Sequence, residues 1–204
     1  MTGRTRPDAD DQERQDAVVQ VAAQVLARAP LLGRVRLVCI DGPAGSGKTS
    51  FAGRLADRLD HDAVRACVVH LDDLYEGWSG LEGTLWQRLA AQVLEPLRSG
   101  RPGRYQRYDW VTGAFADWVD VPVPEVLVLE GCGAARRASA PDAVLSVWVE
   151  APAELRLARG LERDGEAMRD EWITWSASEA AHFDRERTRA RADVRLDAYG
   201  RMSA

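Results

Sequence analysis

The chain has 204 residues, of which 46% are hydrophobic and 29% charged, and its formal net charge is −5. These values are typical of one globular domain with an apolar core, and the negative charge argues against nucleic acid or an anionic membrane as the main partner. The polar start of the chain does not look like a signal peptide, and no apolar run approaches the ~20 residues that a membrane span needs. We therefore expect a cytoplasmic protein with a flexible tail over 1–11 and a single domain over 12–204.

Helical and extended patterns alternate along the chain. Helices are predicted over about 12–29, from residue 48, and over 84–98, 152–163 and 170–190. Buried strands are predicted over 35–40, 66–71, 126–129 and 144–149, with an edge strand at 194–196. Residues 100–124 read as irregular structure or a hairpin over the mouth of a site. This alternation predicts an α/β fold in which a central parallel sheet is covered by helices on both faces, as in a three-layer sandwich.

A glycine-rich segment directly follows the first strand. Residues 42–49, GPAGSGKT, match the phosphate-binding pattern G-x-x-x-x-G-K-[ST]. The backbone N–H groups of such a loop point at phosphate oxygens, and the N-terminus of the next helix adds partial positive charge. The predicted nucleotide-binding residues here are Gly42, Ala44, Gly45, Ser46, Gly47, Lys48, Thr49 and Ser50. With ATP as the ligand, Lys48 would reach the β- and γ-phosphates and the Thr49 hydroxyl would bind Mg²⁺.

The composition singles out one of these residues. The chain has 27 Lys and Arg residues, and Lys48 is the only lysine among them. A phosphate loop needs a compact ammonium group rather than a planar guanidinium, which explains a lysine at this position in an arginine-rich protein. We expect the ammonium group of Lys48 to pair only with phosphate.

Carboxylates follow two other predicted strands. One of Asp72 and Asp73 could accept the proton of a substrate hydroxyl, or both could be turn residues, and spacing does not say which one faces the site. Glu130 could hold Mg²⁺ directly or through water, or bond backbone amides at its strand end. Ligands of parallel sheets bind beyond the carboxyl ends of the strands, so we expect Gly42, Asp72 and Glu130 to share a site.

A row of arginines and a group of aromatic residues have two interpretations each. Arg156, Arg159 and Arg163 lie on one face of a helix, where they could neutralise a transferring phosphoryl group or simply face solvent. The aromatic residues within 105–118 fit a ring-binding pocket and the core of a small hairpin equally well. His70 is expected to be a strand residue rather than a base. Trp172 and Trp175 are expected to pack within a helix, and the three cysteines, which lie in apolar stretches, are expected to be buried.

Taken in order, these elements resemble the uridine kinase branch of the P-loop kinases, which includes phosphoribulokinase and pantothenate kinase. The similarity covers about residues 35–197. The motifs that carry it are the phosphate loop, Asp72-Asp73-Leu74-Tyr75, Tyr108-Asp109-Trp110, Glu130-Gly131 and the arginine row continued to Asp164. The resemblance implies a P-loop fold with a small arginine-bearing lid at about 159–171. It also implies a Mg²⁺- and ATP-dependent kinase that phosphorylates a hydroxyl group of a small molecule such as a nucleoside.

The resemblance also assigns roles to single residues. It selects Asp72 over Asp73 as the base, next to the metal. The catalytic residues that it implies are Lys48, Asp72, Arg159 and Arg163, with Arg156 binding the nucleotide. The implied acceptor-binding residues are Asp72, Tyr75, Tyr108, Asp109 and Arg169, and the implied metal ligands are Thr49, Asp72 and Glu130.

Two features of the uridine kinases have no counterpart in this sequence. The acidic residue that clamps the ribose is replaced by a stretch in which only Glu82 is a loose candidate, and the histidine expected after Tyr108-Asp109-Trp110 is absent. The phosphate machinery therefore carries over and the nucleoside pocket does not. A nucleoside monophosphate kinase and a P-loop ATPase or nucleotide-binding protein without kinase activity remain alternatives. The sequence does not determine the oligomeric state, and a homodimer is compatible with it.

Overall fold

A five-stranded parallel sheet forms the centre of the protein. The computed structural model describes the backbone of residues 6–203 and the side chains of residues 11–203. The strands are β1 (Arg36–Asp41), β2 (Ala66–His70), β3 (Gly103–Asp109), β4 (Ala114–Val121), β5 (Val126–Glu130), β6 (Ala143–Val149) and β7 (Val194–Leu196). The central sheet has the order β2-β5-β1-β6-β7 with parallel neighbours throughout, while β3 and β4 pair separately as an antiparallel hairpin.

Helices cover both faces of this sheet. They are α1 (Arg6–Ala27), α2 (Lys48–His61), α3 (Leu85–Leu89), α4 (Glu95–Arg98), α5 (Ala153–Asp164), α6 (Arg169–Glu186) and α7 (Thr188–Arg191), with a π-helical segment (Ala90–Leu94) joining α3 to α4. Side chains of β1 alternate between two cores: Val38 and Ile40 pack with α1 and α2, whereas Leu37 and Cys39 pack with α3 and α4. This alternation confirms the predicted three-layer α/β sandwich, because both faces of each central strand are buried.

Most elements lie where the sequence predicts them, and two helices differ from the prediction. Helix α1 begins at Arg6, inside the predicted tail over 1–11, and this start is compatible with Pro7 because a proline is tolerated in the first turn of a helix, where no backbone N–H donor is needed. The tail prediction for residues 1–5 lies outside the described residues. Of the two structures predicted for residues 100–124, irregular or hairpin, the segment contains the hairpin that β3 and β4 form. The last predicted helix is broken at Arg187, whose φ is 55°. None of the described helices has the length and apolar character to span a membrane.

Candidate active site

The phosphate loop connects β1 to α2 and depends on glycines at two close approaches. Gly42 has φ 142°, and a Cβ atom there would lie 2.1 Å from the carbonyl oxygen of Val149. Gly45 has φ 76°, and a Cβ atom there would lie 2.6 Å from the carbonyl oxygen of Arg156. Both positions combine a left-handed backbone with direct backbone contact, so a side chain would displace the loop.

A cavity of about 770 Å³ opens over this loop. Its lining includes Ala44, Gly45, Gly47, Lys48, Thr49, Ser50, Asp72, Asp73, Glu130, Cys132, Arg159 and Arg163. Two of the loop residues that were predicted to bind nucleotide do not line it: Ser46 is fully buried, and the carbonyl of Gly42 lies 3.3 Å from Cys132 Sγ. The three strand ends marked in the sequence thus meet at one edge of the sheet, and the volume suits a small ligand.

A buried aspartate holds the start of the loop in place. Asp41 accepts hydrogen bonds from the backbone N–H groups of Gly42, Gly133 and Ala135, at 2.7, 2.9 and 2.8 Å. Burial raises the pKa of Asp41, and these three hydrogen bonds act in the opposite direction. The carboxyl group therefore ties the phosphate loop to the segment that follows β5.

Lys48 lies at the first position of α2 with its ammonium group inside the protein. The side chain is 7% exposed, and Nζ donates a hydrogen bond to the carbonyl of Pro43 at 2.9 Å. The expectation that it pairs only with phosphate is therefore wrong, because the loop's own carbonyl holds the group. Burial lowers the pKa of Lys48, but the surrounding ionisable groups, Cys132 and Glu130 foremost, raise it by more, so the amine stays protonated.

Thr49 and Glu130 form the oxygen-rich part of the cavity. The Thr49 hydroxyl donates to Glu130 Oε1 at 3.0 Å, and His70 Nδ1 lies 2.6 Å from the same oxygen. The hydrogen bond to Glu130 raises the pKa of His70, with burial acting against it. His70 lies in β2 as expected, but the sequence did not predict its contact with Glu130, because local sequence does not show that β2 and β5 pair.

These oxygens fit Mg²⁺ better than a transition metal. Among the described residues, no group of three or more His, Cys, Asp or Glu side chains is arranged to hold a metal ion by itself. Mg²⁺ is commonly held by one or two carboxylates together with substrate phosphates and water, so it needs no complete protein cage. Thr49 and Glu130 supply a hydroxyl and a carboxylate of the right kind next to the phosphate loop.

The two neighbouring aspartates differ in their surroundings. Asp73 Oδ2 accepts a hydrogen bond from the Tyr105 hydroxyl at 2.9 Å, which gives it a structural partner. Asp72 is open to the cavity, but the protein around it removes part of its hydration. This partial burial raises the pKa of Asp72, Glu130 raises it further, and Lys48 lowers it. Of the two carboxylates, Asp72 is therefore the one whose oxygens are more accessible from the cavity.

The predicted arginine row lies over the phosphate loop, but its members differ. Arg159 donates to the carbonyls of Gly45 and Ala198 at 3.1 and 3.2 Å and lines the cavity. Arg163 also lines it and is paired with the adjacent Asp164 at 2.7 Å. A phosphoryl group in the cavity would lie within reach of guanidinium groups that already border it, which suits charge stabilisation.

Arg156 instead forms a bridge to a residue that sequence analysis missed. Its Nη1 lies 2.8 Å from Glu179 Oε1 in α6, and Arg156 does not line the cavity. Glu179 is 1% exposed, and its Oε2 accepts hydrogen bonds from Ala44 N at 2.8 Å and Trp175 Nε1 at 3.0 Å. The carboxylate therefore fastens α5, α6 and the phosphate loop together. No motif marks Glu179, because its partners come from distant parts of the chain.

We expect Glu179→Gln to lower the free energy of unfolding by about 3 kcal/mol, because it leaves the half-buried Arg156 guanidinium without its counter-charge. Urea denaturation measures this as a lower midpoint at an unchanged slope. Glu162→Gln is the matched control, since Glu162 is exposed on α5 and should shift stability by less than about 0.5 kcal/mol. Equal midpoints for the two variants would contradict a stabilising bridge.

The predicted acceptor-binding residues are only partly brought together. Tyr75 lines the cavity and donates its hydroxyl hydrogen to the carbonyl of Cys132 at 2.8 Å. Tyr108 does not line it and packs in the hairpin against Phe115. Asp109 accepts a hydrogen bond from Val111 N at 2.8 Å and so shapes the hairpin turn.

Arg169 lies outside the cavity lining and is paired with Glu166 at the start of α6. Trp172 and Trp175, by contrast, were interpreted as packing residues and also line the cavity. Of the aromatic residues in 105–118, Tyr105 is buried in the core and Trp110 lines the cavity, so both interpretations of that segment hold in part.

Solved structures of other proteins have a similar fold. A candidate uridine kinase from Bacillus stearothermophilus aligns with a TM-score of 0.68 and 23% identity, over 89% of this chain and 98% of that chain. The chain has the P-loop kinase fold. A candidate fructose transport system kinase from Silicibacter sp. TM1040 has a TM-score of 0.66 and 19% identity, over 88% of this chain and 98% of that one.

A more distant example of the P-loop kinase fold is D-glycerate 3-kinase from Cryptococcus neoformans var. grubii. Its TM-score is 0.54 and its identity 13%, over 95% of this chain and 97% of that chain. No protein-family model matches the sequence, and a search of curated proteins finds no match either. The three neighbours differ in the acceptors that their descriptions name, so this fold alone does not specify an acceptor.

Proposed function

We propose that the protein transfers the γ-phosphoryl group of ATP to a hydroxyl group of a small molecule. The observation that carries this proposal is the meeting of Lys48, Thr49, Asp72 and Glu130 around one cavity, although they come from three separate strand ends. Each supplies a different requirement of phosphoryl transfer: a cation, a hydroxyl ligand, a base and a metal-associated carboxylate. The P-loop kinase fold and the resemblance to the uridine kinases support the same conclusion.

The phosphate side of the cavity would bind and orient the nucleotide. Backbone N–H groups of the loop and the N-terminus of α2 attract phosphate oxygens, and the protonated Lys48 adds a full charge. Arg159 and Arg163 border the space in which charge develops during transfer. Thr49 and Glu130 would hold Mg²⁺, which when bound supplies positive charge beside the phosphates.

The base side of the cavity would prepare the acceptor. Among the described side chains, none donates a hydrogen bond to the Asp72 carboxylate, whereas the Tyr105 hydroxyl donates one to Asp73. An acceptor hydroxyl next to Asp72 Oδ would pass its proton to that oxygen as it attacks the γ-phosphorus of ATP, while the bond from that phosphorus to the β–γ bridging oxygen breaks and ADP leaves. A raised pKa suits this role, because it makes the carboxylate a stronger proton acceptor than an ordinary aspartate. We place this chemistry in the cytoplasm, where ATP is supplied.

The test is ADP release from MgATP with a panel of nucleosides, nucleoside monophosphates, sugars and vitamin-like alcohols, together with a blank that lacks acceptor. Release that depends on one hydroxyl compound would support the kinase and identify its acceptor class. Release that requires a monophosphate would favour the nucleoside monophosphate kinase alternative. Release that is the same with every acceptor and in the blank would favour an ATPase and contradict the proposal.

A further inference from the structure

The last two residues of α5 form an ion pair at the border of the cavity. Arg163 Nε donates a hydrogen bond to Asp164 Oδ1 at 2.7 Å, and Arg163 Nη2 donates one to Asp164 Oδ2 at 2.9 Å. This two-point contact is the arrangement that gives an arginine–carboxylate pair a defined geometry. Both residues line the cavity. The carboxylate therefore fixes the orientation of a guanidinium group that a phosphoryl group in the cavity would approach.

A tryptophan of α6 holds the carboxylate of this pair. Trp172 Nε1 donates a hydrogen bond to Asp164 Oδ2 at 3.0 Å. Trp172 is 2% exposed, whereas the side chain of Arg163 is 64% exposed. A fully packed indole keeps one orientation, but a long and mostly exposed side chain has many rotamers. The indole therefore fixes Asp164, and Asp164 in turn restricts Arg163.

Trp172 is itself held by the close approach of α5 and α6. A Cβ atom at Gly160 would lie 2.3 Å from Cζ2 of Trp172, so the ring lies directly against the backbone of α5. Gly160 is buried and lies one helical turn before Asp164. The chain then turns at Gly165, whose φ is 94°, and α6 begins at Arg169. The packed corner between the two helices thus sets the position of the ion pair.

The Arg163 guanidinium lies between the phosphate loop and the proposed base. Arg159, one turn earlier on the same face of α5, contacts the loop through the Gly45 carbonyl. The hydrogen bond to Asp164 is the main cause of the raised pKa of Arg163; burial acts against it, and the charges of Asp164 and Asp72 add to it. Arg163 therefore lies close enough to Asp72 to interact with its charge, at the place where an acceptor and the γ-phosphate would meet.

Pairing with a carboxylate also weakens the field of a guanidinium group, so the two effects of Asp164 have to be compared. Among the residues that the structure describes, Asp164 is the only hydrogen-bond partner of Arg163. It uses two of the N–H donors of the guanidinium group, and the others remain for phosphate oxygens. The Asp164 side chain is 24% exposed, so water screens part of its charge. Orientation is therefore the larger effect.

We propose that Asp164 is a positioning residue for phosphoryl transfer: held by the indole of Trp172, it keeps the Arg163 guanidinium where charge develops on the transferred group. The inference rests on the proposed function for the transfer of the γ-phosphoryl group, but not for the identity of the acceptor. Asp164 acts through Arg163 and needs no contact with nucleotide or acceptor. The corner between α5 and α6 thereby orients a catalytic group as well as packing the fold.

Steady-state kinetics of acceptor-dependent ADP release tests this role. Asp164→Asn keeps the size of the side chain but loses the charge-assisted contact with Arg163. We expect kcat to fall about 10-fold, because an exposed arginine that is no longer held returns to many rotamers. The KM values for MgATP and acceptor should stay within about twofold, since Asp164 acts on the transition state rather than on ground-state binding.

A second ion pair nearby supplies the matched control. Glu166 makes the same two-point contact with Arg169, but Arg169 lies outside the cavity lining. Glu166→Gln therefore breaks an equivalent pair and should leave kcat within about twofold of the wild type. A fall in kcat as large as that of Asp164→Asn would overturn the inference, because the loss would then follow from any broken pair at this corner.

A double-mutant cycle separates orientation of Arg163 from general packing. Arg163→Ala should lower kcat by at least about 10-fold, because it removes a cation from the site of charge development. Adding Asp164→Asn to that variant should change kcat by less than about twofold, since no guanidinium group is left to orient. An equal effect of Asp164→Asn with and without Arg163 would show that Asp164 acts on something else and would overturn the inference.

Nucleotide binding gives a readout that needs no acceptor. MgADP with aluminium fluoride mimics a phosphoryl group in transfer, and such analogues bind through contacts that the ground state lacks. In isothermal titration calorimetry, Asp164→Asn should raise the Kd of this complex by about 10-fold and leave the Kd of MgADP alone within about twofold. Equal effects on both Kd values, or no effect on either, would overturn the inference.

These outcomes keep the inference apart from the proposed function. ADP release that is the same with every acceptor and in the blank contradicts the kinase proposal, while a selective effect of Asp164→Asn on the aluminium fluoride complex still supports the inference. Acceptor-dependent release with unchanged kcat and Kd values in Asp164→Asn overturns the inference alone. Failure of the wild type to bind MgADP contradicts both.

Discussion

Lys48→Ala is expected to lower the kcat of acceptor-dependent ADP release by at least about 10²- to 10³-fold. Removing one charged group that stabilises a transition state typically has an effect of this size. Lys48 is the only cationic side chain of the phosphate loop, and its ammonium group lies at the floor of the cavity. The measurement is the rate of ADP release with the acceptor found in the panel, at saturating MgATP.

Two further substitutions separate charge from packing at this position. Lys48→Met keeps an unbranched side chain of similar length and should lose as much activity as Lys48→Ala. Lys48→Arg keeps the charge but replaces a compact ammonium group with a planar fork, and we expect it to recover little of the rate, because the fork cannot reproduce the contacts that one ammonium group makes with the Pro43 carbonyl and Cys132 Sγ. Full activity in Lys48→Met would show that residues 42–49 do not bind the transferred phosphate.

Asp72→Asn is expected to lower kcat by about 10²- to 10⁴-fold with a hydroxyl acceptor, which is the usual contribution of a general base. The amide keeps the shape of the side chain but cannot take up the proton. The measurements are kcat and its pH dependence: the wild-type rate should fall at low pH as Asp72 becomes protonated, and the variant should lose that acid limb.

Asp73→Asn is the control for this substitution. The Tyr105 hydroxyl donates a hydrogen bond to Asp73, so Asp73→Asn should weaken this contact with the hairpin more than it affects the chemical step. We expect kcat to fall less than about 10-fold. A larger loss of kcat in Asp73→Asn than in Asp72→Asn would identify Asp73 as the base. A small effect of both would point to an acceptor that is already an anion and needs no base, as in the nucleoside monophosphate kinase alternative.

Local sequence was sufficient to predict the sheet and the phosphate side of the site. Buried strands are short apolar runs, and a parallel arrangement brings their carboxyl ends to one edge, so the amino-acid sequence alone groups Lys48, Asp72 and Glu130. The glycine pattern also predicts the course of the loop backbone, because glycines at this spacing let the chain turn at the N-terminus of α2. These features depend on residues that are close in sequence.

Other parts of the site depend on packing between distant segments. Glu179 contacts a loop 135 positions earlier in the chain, and nothing in α6 distinguishes it from an exposed glutamate. The spacing of the three arginines predicts that they share one face of α5. Only the position of α5 relative to α6 shows that Arg156 contacts Glu179. Trp172 has helical spacing that fits packing, and only the fold shows that its ring also borders the cavity.

The single lysine also makes the nucleotide site chemically distinct from the rest of the chain. Apart from the N-terminus, Lys48 carries the only primary amine, and it is 7% exposed and protonated. Acylating reagents that target amines would therefore add at most one side-chain label, and the mass of the intact protein would report it directly. The rate of labelling would therefore report how accessible Lys48 is to the reagent and how far bound nucleotide protects it, without any engineered probe.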